Sequence, residues 1–286
     1  MGIKKVGVVG CGFMGSGITQ VCAQSGYQVV VSEIDKALLN KGLASIDYYL
    51  TRGVEKGKIS QQDTDSTLAR IKGTTNTKDF SDCDLMIEAA IENMDLKKRI
   101  FAELDEICPK HAILATNSSC LSIIDMAMVT SRPDKVLGTH FLSPVPPSRL
   151  LEIVRTMATS DETLETVKKF GESLGKDIIV AKDTPGFIFN RLLIALQMTA
   201  VRMLEAGIAS KEDIDKSMTL GLNHSIGPLA LLDFNGIDVI YMVAQAMYDE
   251  TKDPQYAPPS LMKKMVAAGW LGRKTGKGFY DYKGLE

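Results

Sequence analysis

The chain opens on a short run without polar alternation, Val6 to Val9, the pattern of a strand covered on both faces in a parallel sheet. GCGFMG at 10–15 follows at once, then an apolar helical stretch reaching Gly26, a residue suited to a helix C-terminus, and a second strand pattern from Tyr27 to Val31. These predict a βαβ unit. From Lys36 to about Arg70 there is no strand pattern, only two helix-like stretches separated near Gly53 to Lys58. The second opens on Ser60-Gln61-Gln62-Asp63, a capping-box arrangement, so a helical hairpin is inserted at about 36–70. Strand patterns resume at Leu85 to Ile87, Ile113 to Ala115 and Val136 to Thr139, with an amphipathic helix carrying Leu96, Ile100, Phe101, Leu104 and Ile107 between the first two. Leu150 to Val154 and Ile178 to Val180 bracket a helix from about Asp161 to Leu174 and complete the sheet. The alternation predicts an α/β fold, a Rossmann-type doubly wound sheet, over residues 1–182.

After Lys182 the texture changes. Thr184-Pro185 reads as an N-cap followed by proline at the first helical position, and 183–286 reads as an all-α C-terminal domain. Its helix from about Gly186 to Ala206 is apolar nearly all round, which predicts contact with another subunit.

Composition narrows the functional class. A chain of 286 residues with 45% hydrophobic side chains is long enough for two domains. Basic and acidic residues number 33 and 35, a net charge of −2, without long like-charge blocks. This argues against a nucleic-acid footprint or a polybasic membrane surface and points to a small-molecule partner. Five cysteines, an odd number with no CxxC pair, fit neither a disulfide framework nor a metal site and imply a reducing cytoplasm. Gln197 and Arg202 interrupt the most apolar segment, Leu192 to Leu204, so no run predicts a membrane span. Lys4 and Lys5 before an apolar run resemble a signal peptide, but the run ends in glycines and reads as the first strand.

The glycine turn carries the first chemistry. Gly10 allows the tight turn, Gly12 lets backbone approach a pyrophosphate, and Gly15 permits close helix–strand packing, with Phe13 and Met14 between them at the helix start. Amides at that helix N-terminus hold the anion. Glu33, 18 residues past Gly15 at the end of the second strand, is placed to accept the ribose hydroxyls and to repel a 2′-phosphate, favouring NAD over NADP. Asp35 reads more simply as the N-cap of the next helix.

A dehydrogenase acting on an alcohol needs a group that titrates near neutrality, and the chain has three histidines, His111, His140 and His224. His140 follows the strand pattern Val136 to Thr139, at the carboxyl edge where open α/β sheets place ligands. Glu152 within Leu150 to Val154 needs a partner if buried, and a neutral imidazole needs a group to fix its tautomer. The competing reading pairs Glu152 with Arg149 or Arg155. His111, beside Lys110, reads as surface, and His224 lies in an Asn-His-Ser loop.

The chain resembles the short-chain L-3-hydroxyacyl-CoA dehydrogenases over essentially its whole length. The segments that carry the resemblance are GCGFMGSGI, MIEAAIENMDLKKRIF at 86–101, TNSSCLSI at 116–123, THFLSPVP at 139–146, DTPGFIFNR at 183–191, EAGIASKEDID at 205–215 and AGWLGRKTGKGFYDY at 268–282. The resemblance implies a β-oxidation-type reaction, NAD as redox partner, a coenzyme A thioester substrate and a homodimer held by the C-terminal helices. It makes His140 and Glu152 the catalytic pair, Ser119 a hydroxyl beside the reacting oxygen and the nicotinamide, and Asn190 a contact to substrate from the second domain. Glu92 and Lys97 take positions that approach the cofactor, with solvated charges at a helix start as the alternative. Ser45 and Arg52, with Lys56 nearby, match positions that bind coenzyme A.

Three departures from the family pattern stand out. Ser143 replaces the asparagine near the nicotinamide and the thioester carbonyl, and a serine hydroxyl reaches less far than that amide. Cys120 stands beside Ser119, which raises a Cys120, His140, Glu152 nucleophilic arrangement, and Ser225-Ile226 replaces a Pro-Met pair. Two alternatives to an acyl-CoA dehydrogenase therefore stay open: an NAD-dependent dehydrogenase of a free hydroxy acid or sugar acid, and a dinucleotide-binding protein without turnover.

Overall fold

A computed structural model of the chain describes residues 2–282 and Gly284. The chain forms two compact units, Met1–Thr184 and Pro185–Glu286. The first unit is built on an eight-stranded sheet in the order β3-β2-β1-β4-β5-β6-β7-β8. Its strands are β1 (Lys5–Val9), β2 (Gln28–Ser32), β3 (Ile71–Thr74), β4 (Leu85–Glu88), β5 (Ile113–Thr116), β6 (Val136–Phe141), β7 (Leu150–Arg155) and β8 (Asp177–Lys182). All neighbours are parallel except β6 and β7. Val6, Val8, Val29, Val31, Leu85 and Ile87 are buried, and so are Val30 and Met86, which alternate with them. Each such side chain contributes about 1.5–3 kcal/mol by leaving water.

Helices α1 (Phe13–Gln24), α2 (Lys36–Glu55), α3 (Gln61–Ala69), α4 (Met94–Ile107), α5 (Ile123–Ala127) and α6 (Asp161–Ser173) complete this unit. The inserted hairpin is present as α2 and α3. Asp35 caps α2 by accepting the Leu38 N–H at 2.8 Å, and Ser60 and Asp63 form the reciprocal capping box that opens α3. The hairpin lies against the glycine turn: a Cβ on Gly42 of α2 would overlap the Cys11 carbonyl oxygen.

Two sequence readings need correction here. Strand β3 lies just past the stretch read as strandless, in 71–84, where no strand was expected. Its sequence, Ile-Lys-Gly-Thr, buries only Thr74, so it lacks the apolar signature of the inner strands. The chain also does not cap a helix at Thr184-Pro185: Pro185 to Ile188 form a turn, Phe187 adopts a φ of 49°, and Thr184 Oγ1 donates to the Lys182 carbonyl at 3.3 Å.

The second unit contains α7 (Phe189–Glu205), α8 (Lys211–Gly221), α9 (Pro228–Asn235), α10 (Ile237–Thr251) and α11 (Ser260–Ala267). Ile194, Met198, Val201, Leu229, Leu232, Ala244, Met247 and Met262 are buried in it. Asp233 fastens the C-terminal segment by accepting the Phe279 and Tyr280 N–H groups at 2.9 and 2.8 Å. Leu192 of α7 is 70% exposed, and Ile208, Leu220, Leu222, Phe234 and Met242 are also exposed. No single described helix is long and apolar enough to cross a membrane; the apolar pair α9 and α10 is bent by 102°.

Candidate active site

Chain order places the crevice before side chains are considered. From β1 the chain runs outward through β2 to β3, then returns to β4 on the other side of β1 and continues to β5 and β6. The carboxyl ends of β1 and β4 therefore flank the point where the winding reverses, where open α/β sheets bind ligands.

The glycine turn lies at this point with each glycine doing separate work. Gly10 has a φ of +93°, a conformation other residues rarely adopt. A Cβ at Gly15 would overlap the Gly10 carbonyl oxygen, whereas one at Gly12 would meet nothing within 4 Å. The first helical turn is thus held tight against the strand while its N-cap stays open to a ligand. With Gly12 as N-cap, no side chain caps α1, and its first-turn amides, including those of Phe13 and Met14, are available to an anion. Glu33 sits at the end of β2, where Oε1 accepts the Cys11 N–H at 2.8 Å and Oε2 the Ile34 N–H at 3.1 Å. Each oxygen keeps lone-pair capacity for a ribose hydroxyl. These features fit a dinucleotide.

His140 lies inside β6, not after it, because the strand continues through Phe141. The antiparallel register sets His140 directly opposite Glu152, so both side chains leave the same face of the sheet. Nδ1 of His140 is 2.9 Å from Glu152 Oε2, and the Ser119 hydroxyl is 3.2 Å from Nε2. Glu152 is fully buried and His140 is 4% exposed. The competing arginines are engaged elsewhere, Arg149 with Asp177 at 2.8 Å and Arg155 with Asp161 at 2.7 Å. An ionised carboxylate can only accept, so Glu152 holds the proton on Nδ1 and leaves Nε2 as the basic nitrogen facing Ser119.

Glu92 and Lys97 belong to the same region, though Lys97 is not a solvated charge. It is 1% exposed and lies 2.7 Å from the wholly buried Glu88, while Glu92 Oε2, 41% exposed by side chain, is 3.3 Å from its ammonium. Removing one partner of such a buried pair costs about 3–5 kcal/mol. Glu92 Oε1 accepts the Ser118 hydroxyl and the Ser119 N–H, the latter at 2.9 Å. Glu88, Thr116 and Ser118 are the residues the sequence reading passes over. A signal for the cluster was present, since Lys97 shares the α4 face of buried Phe101 and Leu104, at i, i+4 and i+7.

The Cys120 thiol does not suit a nucleophile. Burial, reinforced by the Glu92 carboxylate, pushes its pKa up to about 12, so it stays protonated at neutral pH. All five cysteines are free.

Over residues 5–184 the sequence matches the 3-hydroxyacyl-CoA dehydrogenase NAD binding domain, and over 186–282 the C-terminal domain of the same family. The chain belongs to the 3-hydroxyacyl-CoA dehydrogenase family. It is 42% identical to a 3-hydroxybutyryl-CoA dehydrogenase of Bradyrhizobium diazoefficiens, over 99% of this chain and 97% of that protein. A Clostridioides difficile protein of the same description is 44% identical, over 97% of this chain and 99% of that protein. The solved structure of (S)-3-hydroxybutyryl-CoA dehydrogenase from Ralstonia eutropha superposes with a TM-score of 0.94 at 46% identity, covering 98% of this chain and 99% of that one. The cofactor of this family's first domain is NAD.

The other residues singled out in the sequence are more dispersed. Ser45 and Arg52 lie on α2, where the Arg52 side chain is half exposed and pairs with Glu55 at 2.9 Å. Lys56 is the residue that ends α2. Ser143 is exposed in the turn after β6, and Asn190 is half-buried in the first turn of α7, in the second unit. His111 is 3.0 Å from Asp84 and half exposed, and His224 is exposed.

Proposed function

We propose that this chain is an NAD-dependent dehydrogenase interconverting short-chain (S)-3-hydroxyacyl-CoA and 3-ketoacyl-CoA esters, with 3-hydroxybutyryl-CoA and acetoacetyl-CoA as its reference pair. The observation that carries the reading is the line Glu152–His140–Ser119, which ends on a basic imidazole nitrogen at the edge of a dinucleotide-binding sheet. NAD, when bound, supplies the hydride acceptor for the carbinol carbon. His140 Nε2 takes the hydroxyl proton in oxidation; in reduction the imidazolium returns it to the carbonyl oxygen. Glu152 fixes the ring's tautomer and stabilises its charged form. The Ser119 hydroxyl, 3.2 Å from Nε2, reaches the same substrate oxygen and donates a hydrogen bond to it. Gly10, Gly12 and Gly15 hold the pyrophosphate with the Phe13 and Met14 amides, Glu33 selects the unphosphorylated ribose, and Glu92, Lys97 and Ser143 border the nicotinamide end.

Ser45 and Arg52 are seven residues apart on α2 and share a face of it. The exposed Arg52–Glu55 pair contributes little stability, so the guanidinium is available to coenzyme A phosphates, with Lys56 adding charge. The exposed apolar residues of the second unit support a homodimer through its helices, and five free cysteines support a reducing compartment, the cytoplasm.

The test compares NADH oxidation by acetoacetyl-CoA with that by free acetoacetate at matched concentration. The expected result is rapid oxidation with the thioester and none above background with the acid. Faster reduction of the free acid would favour a hydroxy-acid dehydrogenase, and NADH binding without oxidation by either would favour a protein without turnover.

A further inference from the structure

Glu88 ends β4 without solvent exposure, and both its carboxylate oxygens are fully engaged. Oε1 accepts the Ala90 N–H and the Lys97 ammonium, each at 2.7 Å. Oε2 accepts the Thr116 hydroxyl at 2.6 Å and the same ammonium at 2.8 Å. Two routes lead from this carboxylate to the loop that carries Ser119. In the first, Thr116 Oγ1 donates to Glu88 and accepts the Ser118 N–H at 3.1 Å. In the second, Lys97, held by Glu88, lies 3.3 Å from Glu92 Oε2, and Glu92 Oε1 accepts the N–H groups of Ser119 and Cys120 at 2.9 and 3.4 Å. The main chain adds a third tie: Asn117 N–H donates to the Glu88 carbonyl at 2.7 Å, and Asn117 Oδ1 accepts the Phe141 N–H beside His140 at 2.9 Å.

We propose that Glu88 is a positioning residue for the hydride-transfer site, fixing the Ser119 hydroxyl against His140 Nε2 through Thr116 on one side and Lys97 with Glu92 on the other. The inference rests on the roles of Ser119 and His140 proposed above. Its physical basis is convergence. A buried anion whose two oxygens are both saturated by hydrogen bonds has a single low-energy position, and two short chains of hydrogen bonds and ion pairs, which meet at Ser118, transmit that position to one short loop. Glu88 itself touches neither His140 nor Ser119 in any of these contacts.

The experiment uses the full-length protein and four variants: Glu88→Gln, Thr116→Val, Ser119→Ala and the double variant of Glu88→Gln with Ser119→Ala. Glutamine keeps the volume but turns one doubly accepting oxygen into a donor, and Thr116→Val cuts one route without touching a charge. Glu88→Gln is expected to lower kcat for acetoacetyl-CoA reduction by about 10²-fold, the scale of a displaced reacting group. In the Ser119→Ala background the same replacement changes kcat by less than about twofold, because the hydroxyl it positions is gone. A purely structural Glu88 gives the same fold-loss in both backgrounds, and that multiplicative result overturns the proposal. The second readout is the 15N shift of His140 Nε2 in cofactor-free protein, which moves in Glu88→Gln as it does in Ser119→Ala and no further in the double variant. A wild-type shift in Glu88→Gln also overturns the proposal. This readout needs no turnover, so a chain inactive on acetoacetyl-CoA contradicts the substrate reading while the shifts still decide the anchor. Should Glu88→Gln fail to fold, Thr116→Val, alone and combined with Ser119→Ala, carries the same comparisons.

Discussion

His140→Ala lowers kcat for acetoacetyl-CoA reduction by about 10²–10⁴-fold, the range that a positioned general acid contributes, while NADH binding stays at the wild-type level. Two facts separate these effects. The nitrogen proposed to transfer the proton, Nε2 of His140, faces Ser119 at 3.2 Å, whereas Glu33, proposed to hold the dinucleotide with the glycine turn, is held by the Cys11 and Ile34 N–H groups. Steady-state kinetics together with NADH fluorescence titration reads both. A variant that keeps wild-type kcat would place the acid elsewhere.

Glu152→Gln is expected to lower kcat by about 10²-fold or more in both directions without unfolding the protein. Glutamine fills the same volume on β7, but its amide can donate to Nδ1 as readily as accept from it, so the ring is released to the tautomer that carries its proton on Nε2. That tautomer cannot take a proton in oxidation. The variant also loses the charge that stabilises the imidazolium needed in reduction. Its thermal midpoint stays at or above the wild-type value, because a neutral amide is cheaper to bury than a carboxylate at zero exposure. A melting curve and initial rates in both directions check the pair of expectations, and a stable, fully active variant contradicts the orienting role.

Seven of the eight strands were legible because each carries at least two successive apolar residues: six are inner strands, and β8, the edge opposite β3, keeps an Ile-Ile-Val-Ala run although only Ala181 is buried. β3 was not. It is an edge strand with Lys72 exposed, as edges often are, and Gly73 sits where a Cβ would crowd Leu43 and Leu39 of α2. Neither residue looks like part of a strand in sequence. The helix expected from Thr184-Pro185 failed for a related reason: the cap motif was present, but the turn from Pro185 to Ile188, with Phe187 at positive φ, delays the helix until Phe189.

The site shows the same division between what local pattern carries and what only packing supplies. The glycine turn and Glu33 follow from spacing along the chain, because each lies directly after its own strand, whereas His140, expected after its strand, lies in one that continues through Phe141. The partnership of His140 with Glu152 depends on an antiparallel register between β6 and β7, which the proline-rich connection does not announce. Glu88 was not singled out because, unlike Glu33, it has no spacing to a glycine turn that assigns it a ligand. Its partner Lys97, nine residues on, had to be recognised as an ammonium placed on an apolar helix face.

The most direct measurement of the central claim follows the label from 3-deuterated (S)-3-hydroxybutyryl-CoA during oxidation with NAD in unlabelled water. If His140 takes only the hydroxyl proton while hydride passes to the cofactor, the NADH formed carries the deuterium at the nicotinamide and acetoacetyl-CoA is released. Deuterium in the solvent, or bound NAD with no NADH formed, would contradict the assignment of this chain as a 3-hydroxyacyl-CoA hydride-transfer enzyme.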